Sequence, residues 1–160
     1  MEQKKAQAWG LDLVIASVIF LAALLSIYFY TLNYSAGENK GFRILDEGAG
    51  IIGDNLLSEG SPEDWNGSSV TRIGLMTKGH LNLSKAEMFY QMALSDYPKT
   101  RELFRVTHNY YVNFSEPIDI DGESVQIIGV LPSGSSNVAK SSRVIVSNNK
   151  ISKIEIVTWS

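Results

Sequence analysis

The order of apolar and polar residues divides the chain into stretches with different periods. Leu13 to Leu32 reads LVIASVIFLAALLSIYFYTL and contains no charged residue, glycine or proline. An apolar run on every face, rather than at a period of 3.6, predicts a helix whose surroundings are not water. These 20 residues, at about 1.5 Å each, span roughly 30 Å, the hydrocarbon thickness of a bilayer. A helix also satisfies its own backbone hydrogen bonds in lipid. Tyr28, Tyr30 and Tyr34 gather at the far end, where phenol rings suit the water–lipid boundary. Lys4 and Lys5 precede the run, which places the N-terminus in the cytoplasm and the bulk of the chain on the other side. A buried core helix seldom stays apolar on all faces for this length. A removable signal peptide has a shorter apolar region that ends in small residues, whereas this one ends in Tyr28-Phe29-Tyr30-Thr31-Leu32.

After Leu32, the residues Asn33, Ser35, Gly37 and Gly41 predict a weakened or kinked helix. Leu45, Ala49, Ile52 and Leu56 then recur at helical spacing. They predict an amphipathic second portion from about Gly41 to Ser58, its apolar side packed on a domain. Gly48, Gly50 and Gly53 are poor helix formers there and suit close packing. Ser58 to Ser69, SEGSPEDWNGSS, has the chemistry of a loop, with Trp65 as a plug onto the domain. Ser84-Lys85-Ala86-Glu87 is a capping box that predicts a helix start. Ala86, Phe89, Tyr90, Ala93 and Leu94 would form that helix's apolar face, ending near Ser95. Pro98 predicts a short following helix through Leu103 and Phe104.

From Val106 onward the period changes to two. Thr107 to Phe114, Ser124 to Leu131, Ser142 to Ser147 and Ile151 to Trp159 predict four strands. The first pair is joined through a turn at Asp121-Gly122, the last across Asn148-Asn149-Lys150. Ile154 and Ile156 alternate with Lys153 and Glu155, as one buried face requires. The expected fold class is therefore α+β: a long N-terminal hydrophobic helix, then a small domain with short helices and a C-terminal antiparallel β-sheet over 106–159.

Charge and composition narrow the function. The net charge is −3 over 160 residues, so no basic field argues for nucleic acid. The absence of cysteine excludes disulfides and thiolate metal sites. His80 and His108 are far apart, outside any ligand-spaced cluster. Asp119-Ile120-Asp121-Gly122-Glu123 resembles part of a calcium loop but lacks its remaining ligand positions, and a hairpin turn explains it. No Gly-rich phosphate loop, nucleophile elbow or zinc motif is present. The expectation is a non-enzymatic protein without a cofactor. Asn33, Asn66, Asn82 and Asn113 each begin an Asn-x-Ser acceptor pattern on the outer side.

Residues 3–25, QKKAQAWGLDLVIASVIFLAALL, resemble archaeal type IV pilin-like proteins. So does the Pro62-Glu63-Asp64-Trp65 loop leading into Ile73-Gly74-Leu75. In that family a short basic leader, a small residue and often a glutamine precede an apolar helix that stays in the mature protein. The resemblance implies a leader over 1–6, marked by Lys4, Lys5, Ala6 and Gln7 and cut between Ala6 and Gln7 by a prepilin peptidase. It implies an N-terminal helix over 7–58 and an extracytoplasmic head domain over 59–160. A cytoplasmic assembly ATPase and a membrane platform protein would then move subunits from the membrane into a homo-oligomeric filament at the cell surface, for adhesion or surface attachment. It further implies glycosylation at acceptor asparagines. Bacterial type IV pilins carry a glutamate near the mature N-terminus. Here the nearby acid is Asp12, either pairing with a neighbouring subunit's amino terminus or solvated in the first helical turn. The alternative function is a single-pass, membrane-tethered binding domain that never polymerises, which retention of residues 1–6 would favour.

Overall fold

The computed structural model describes residues 3–37, 40–134, 137–147 and 149–160, with side chains from Gly10 onward except those of Leu11 and 33–37. The chain divides into two compact units, Met1–Lys40 and Gly41–Ser160.

The first unit is one helix, α1, Gln3–Gly37. It contains the whole apolar run. A second helix, α2, Lys40–Leu56, begins after residues 38 and 39. The backbone stays helical through Asn33, Ser35 and Gly37; the rest of the expected weak point, at residues 38 and 39, lies outside the described residues.

The second unit packs three helices on one face of a four-stranded antiparallel sheet. In α2, Leu45, Gly48, Ala49, Ile52, Gly53 and Leu56 are buried, the stripe that the apolar period predicts. Two polar contacts fix α2 on the sheet. The buried Thr158 hydroxyl donates to the Leu45 carbonyl at 2.8 Å, and the Arg143 guanidinium donates to Asp54 Oδ1 at 3.0 and 3.3 Å. Two of the α2 glycines are required by this packing. A Cβ on Gly48 would collide with the His108 ring, and one on Gly53 would press on Arg143 and Ile156 at 3.3 Å. Gly50 faces open space.

The loop after α2 closes on itself through an antiparallel bridge between Ser61 and Arg72. Trp65 is 1% exposed, and its indole N–H donates to the Gly74 carbonyl at 2.9 Å. The plug role expected of Trp65 is what the fold shows. A small hairpin follows, β1 (Met76–Thr77) and β2 (His80–Leu81), turned by Lys78 and Gly79 at φ 50° and 80°.

Helix α3 spans Leu83–Ser95. It starts earlier than the Ser84 capping box predicts, because Asn82 is the N-cap. The Asn82 carboxamide oxygen accepts from the Lys85 N–H at 3.2 Å, and asparagine caps as well as serine does. The buried face is Lys85, Ala86, Phe89 and Met92. Leu94, expected on that face, is 65% exposed: the earlier start does not rotate the helix, but Met92 takes the inward position. Asp96 caps α4, Tyr97–Phe104, with Pro98 in its first turn. Phe104 stacks edge-on against Phe89 and Tyr110.

The sheet consists of β3 (Asn109–Ile120), β4 (Glu123–Gly129), β5 (Val138–Ser147) and β6 (Lys150–Trp159), in the order β4-β3-β6-β5. Tyr110↔Thr158, Val112↔Ile156 and Phe114↔Ile154 are cross-strand partners on the buried face. The β3–β4 turn holds Asp121 and Gly122 at φ 52° and 82°, as a two-residue hairpin demands. The β5–β6 hairpin closes with Ser147↔Lys150. Asn149 is left-handed there, while Asn148 lies outside the described residues. The fold class is thus α+β with a long apolar helix, short helices and a C-terminal antiparallel sheet.

Candidate functional site: an exposed apolar helix and the surface of the domain

The most distinctive surface belongs to α1. From Asp12 to Leu32 none of the window is buried. Leu13, Ile19, Phe20 and Tyr30 are 64–71% exposed. Covering one such side chain is worth about 1.5–3 kcal/mol, so the whole surface strongly opposes contact with water. Its hydroxyls do not interrupt it. Ser17, Ser26 and Thr31 donate to the carbonyls of Leu13, Ala22 and Ile27, each at 2.8 Å, which leaves none of these three hydroxyl protons to solvate. The helix has the length and composition of a membrane anchor or a signal segment.

The residues expected around α1 are placed as follows. The backbone of 4–7 is helical, but the side chains of Lys4, Lys5, Ala6 and Gln7 lie outside the described residues, as does that of Asn33. Asp12 is exposed at the start of the apolar window and forms no ion pair among the described residues.

The other acceptor asparagines differ sharply. Asn66 is exposed, and its Oδ1 accepts from the Ser68 hydroxyl at 2.7 Å and from the Ser68 and Ser69 N–H groups at 3.0 Å. Its acceptor-pattern serine is therefore already folded onto the carboxamide. Asn82 is committed to the fold, because its amide also donates to Thr77 Oγ1 at 3.0 Å. Asn113 sits in mid-sheet, paired with Ile127 on one side and Glu155 on the other.

Inside the domain the polar groups serve packing. Lys85, 6% exposed, donates from Nζ to the Glu59 and Met76 carbonyls at 2.8 and 3.1 Å, tying the loop and β1 to α3. Tyr97 accepts from the Tyr110 N–H at 2.7 Å and donates to the Tyr110 carbonyl at 2.9 Å. Burial holds both tyrosine hydroxyls protonated above the ordinary phenol range. His108 was expected only as an isolated residue, yet it is buried against Gly48, with neither ring nitrogen hydrogen-bonded. Burial, and then the nearby Arg101 charge, push its pKa below 6.5. A glycine in the middle of an amphipathic helix is the sequence signal for such a close approach. On the open face of the sheet, Glu155 joins Lys140 at 2.7 Å and Lys153 at 2.6 Å, and their hydrogen bonds push its carboxyl down to about 2.

Asp119 Oδ1 accepts from the Gly122 N–H at 2.9 Å, so this acid shapes a turn. Among the described residues, no group of three or more His, Asp or Glu side chains converges as a metal site. The shallow clefts of the domain are lined by mixed polar and apolar residues, the one between α2 and α4 holding Arg72 and Arg105.

The fold and surface define a class: an N-terminal apolar helix of membrane-spanning length, followed by a small α+β domain. No protein-family model, no curated protein and no solved structure matches the chain.

Proposed function

We propose that the chain is a structural subunit of an archaeal type IV pilus-like surface filament. The carrying observation is that α1 holds an unbroken apolar run, Leu13–Leu32, exposed along its length, while the second unit draws its core from its own residues. Such a helix requires a partner outside its own chain, first lipid and then other copies. Moving from lipid to a packed helical core exchanges one apolar surface for another, so packing rather than hydrophobicity decides the transfer. The basic leader, Ala6 and Gln7 supply the cut that commits the precursor to assembly, by a prepilin peptidase, an assembly ATPase and a platform protein. Asp12, at the edge of the apolar window, pairs with a neighbouring amino terminus. The domain faces water and sets adhesion, and Asn66 is the acceptor that carries glycan. Intact mass and N-terminal sequence of the chain in sheared surface material test this. A chain starting at Gln7 in that fraction is the expected result. A chain that keeps Met1 to Ala6 and stays in membranes would replace the filament with a tethered domain.

A further inference from the structure

Among the clefts and charged patches of the domain, two features at opposite ends of β3 complement each other. The first is a cleft of about 360 Å³ lined by Ile51, Asn55, Thr71, Arg72, Leu103, Phe104 and Arg105. Both arginines have fixed backbones. Arg72 is held in the bridge with Ser61, and Arg105 is the left-handed cap of α4, at φ 60°. Several other basic groups near the sheet are occupied. Arg143 pairs with Asp54, Lys140 and Lys153 pair with Glu155, and Arg101 donates to the Thr107 carbonyl and Asn109. Among the described residues, the guanidinium groups of Arg72 and Arg105 meet no carboxylate. Glu47 lines the adjoining cleft with Arg105 but forms no ion pair. Two guanidinium groups in a cleft that also holds Ile51, Leu103 and Phe104 offer donors suited to carboxylates.

The second feature is the β3–β4 hairpin. Glu116, Asp119, Asp121 and Glu123 are all exposed there, and none forms an ion pair among the described residues. Lys150 shares a cleft with Glu116 and Asp119, leaving the tip strongly negative. Its turn closes through a hydrogen bond from the Gly122 N–H to Asp119 Oδ1. Arg105 lies four residues before β3, and the acidic turn follows its last residue. A strand of 12 residues separates these ends by roughly 35 Å at about 3.3 Å per residue. One copy cannot join its own two ends.

We propose that the Arg72–Arg105 cleft is a carboxylate socket, and that its occupant is the acidic β3–β4 hairpin of a second copy of this chain. The carboxylates of Asp121 and Glu123 would supply the counter-charges that Arg72 and Arg105 lack among the described residues. Because socket and tip are different surfaces, the contact is heterologous. Each docked copy offers a free socket and a free tip, so the contact propagates. This deepens the filament reading and rests on it for where the contact operates, supplying a head-to-tail link between domains that is independent of α1.

The test uses the full chain in detergent micelles, with self-association measured by sedimentation equilibrium at low and high sodium chloride. Three proteins are compared: the natural chain, a tip variant (Asp121→Lys with Glu123→Lys) and a socket variant (Arg72→Glu with Arg105→Glu). Expected are association of the natural chain that salt weakens, a loss of roughly tenfold or more in each variant, and recovery when the two variants are mixed. Recovery on mixing cannot come from unfolded chains. Association that is equal in all three, or absent recovery between variants with natural circular dichroism and melting, overturns the proposal. Sodium malonate serves as a free dicarboxylate probe. If it binds the natural chain while the tip variant associates normally, the socket holds small anions and the copy-docking proposal is wrong. The two readings fail separately: charge-blind association in micelles sinks the contact, whatever the fibres do. Absence of the chain from sheared surface material sinks the filament, whatever the micelles show.

Discussion

Helices α1 and α2 are nearly consecutive in the chain, yet they meet opposite physical demands. In α2 the apolar residues form a stripe, and that stripe is inside the domain. In α1 they cover the whole circumference, and none from Asp12 to Leu32 is buried. The glycines sharpen the contrast. Gly48 and Gly53 let α2 approach His108, Arg143 and Ile156, while the run from Leu13 to Leu32 has no glycine. A helix with a stripe finds its partner within its own chain. A helix apolar all round takes its partner from lipid or from other molecules.

The comparison breaks most visibly with a matched pair of substitutions. Ile52→Ala, at a site with 0% exposure, should lower domain stability by about 2–5 kcal/mol. Ile19→Ala in α1 should leave the domain's thermal midpoint unchanged and weaken only membrane insertion or assembly. Thermal melts of the full chain in detergent, followed by near-ultraviolet circular dichroism, separate the two. Equal effects would mean that α1 also belongs to the domain core.

A second pair lies within α2. Gly48→Ala should destabilise by about 1–3 kcal/mol, because the new methyl displaces the buried His108 ring. Gly50→Ala meets nothing within 4 Å and should stabilise by up to about 1 kcal/mol through helix propensity. Denaturant midpoints report both signs in one experiment.

The third expectation concerns acid. His108 titrates below 6.5 in the folded chain, so the unfolded chain takes up the proton first. Stability is therefore full above pH 6.5 and declines as pH falls from there toward the lower folded value. His108→Gln should flatten that decline, read as melting temperature between pH 7.5 and 5.5. Glu155 acts in a separate window. Its folded pKa of about 2 lies below the ordinary 4.5, so its contribution is present above 4.5 and is lost between 4.5 and about 2. The smallest effect follows from the same residue: Glu155→Gln should cost about 0.2–1 kcal/mol at low salt, and less as salt screens its two exposed lysine contacts.

Much of the fold was legible because its signals are local or periodic. Leu45, Ala49, Ile52 and Leu56 announce the buried stripe of α2, and Asp121-Gly122 announces the β3–β4 turn. The small β1–β2 hairpin was not legible, since two-residue strands have no period to detect. The second half of β3 was hidden by Glu116 and Pro117. These fall in the bulge where the β3–β4 register shifts between Asn113 and Ile118, a place where proline is tolerated. Of the candidate sites, Asn66 could be singled out from its loop chemistry. The commitment of Asn82 to a cap and of Asn113 to mid-sheet depends on partners from elsewhere in the chain. Arg72 and Arg105 carry no motif, and only the fold brings them into one cleft. The partner of Asp12 is expected on another molecule, so one chain shows its exposure and not its contact.

The central claim is that α1 finds its final partner in other copies of itself. Because the chain has no cysteine, single cysteines at Val18, Ile19, Phe20 and Leu21 survey one full helical turn without background. The account predicts that oxidation of sheared surface material will link chains into dimers through at least one of these positions. Chains that reach the sheared fraction yet cross-link at none of the four would contradict it.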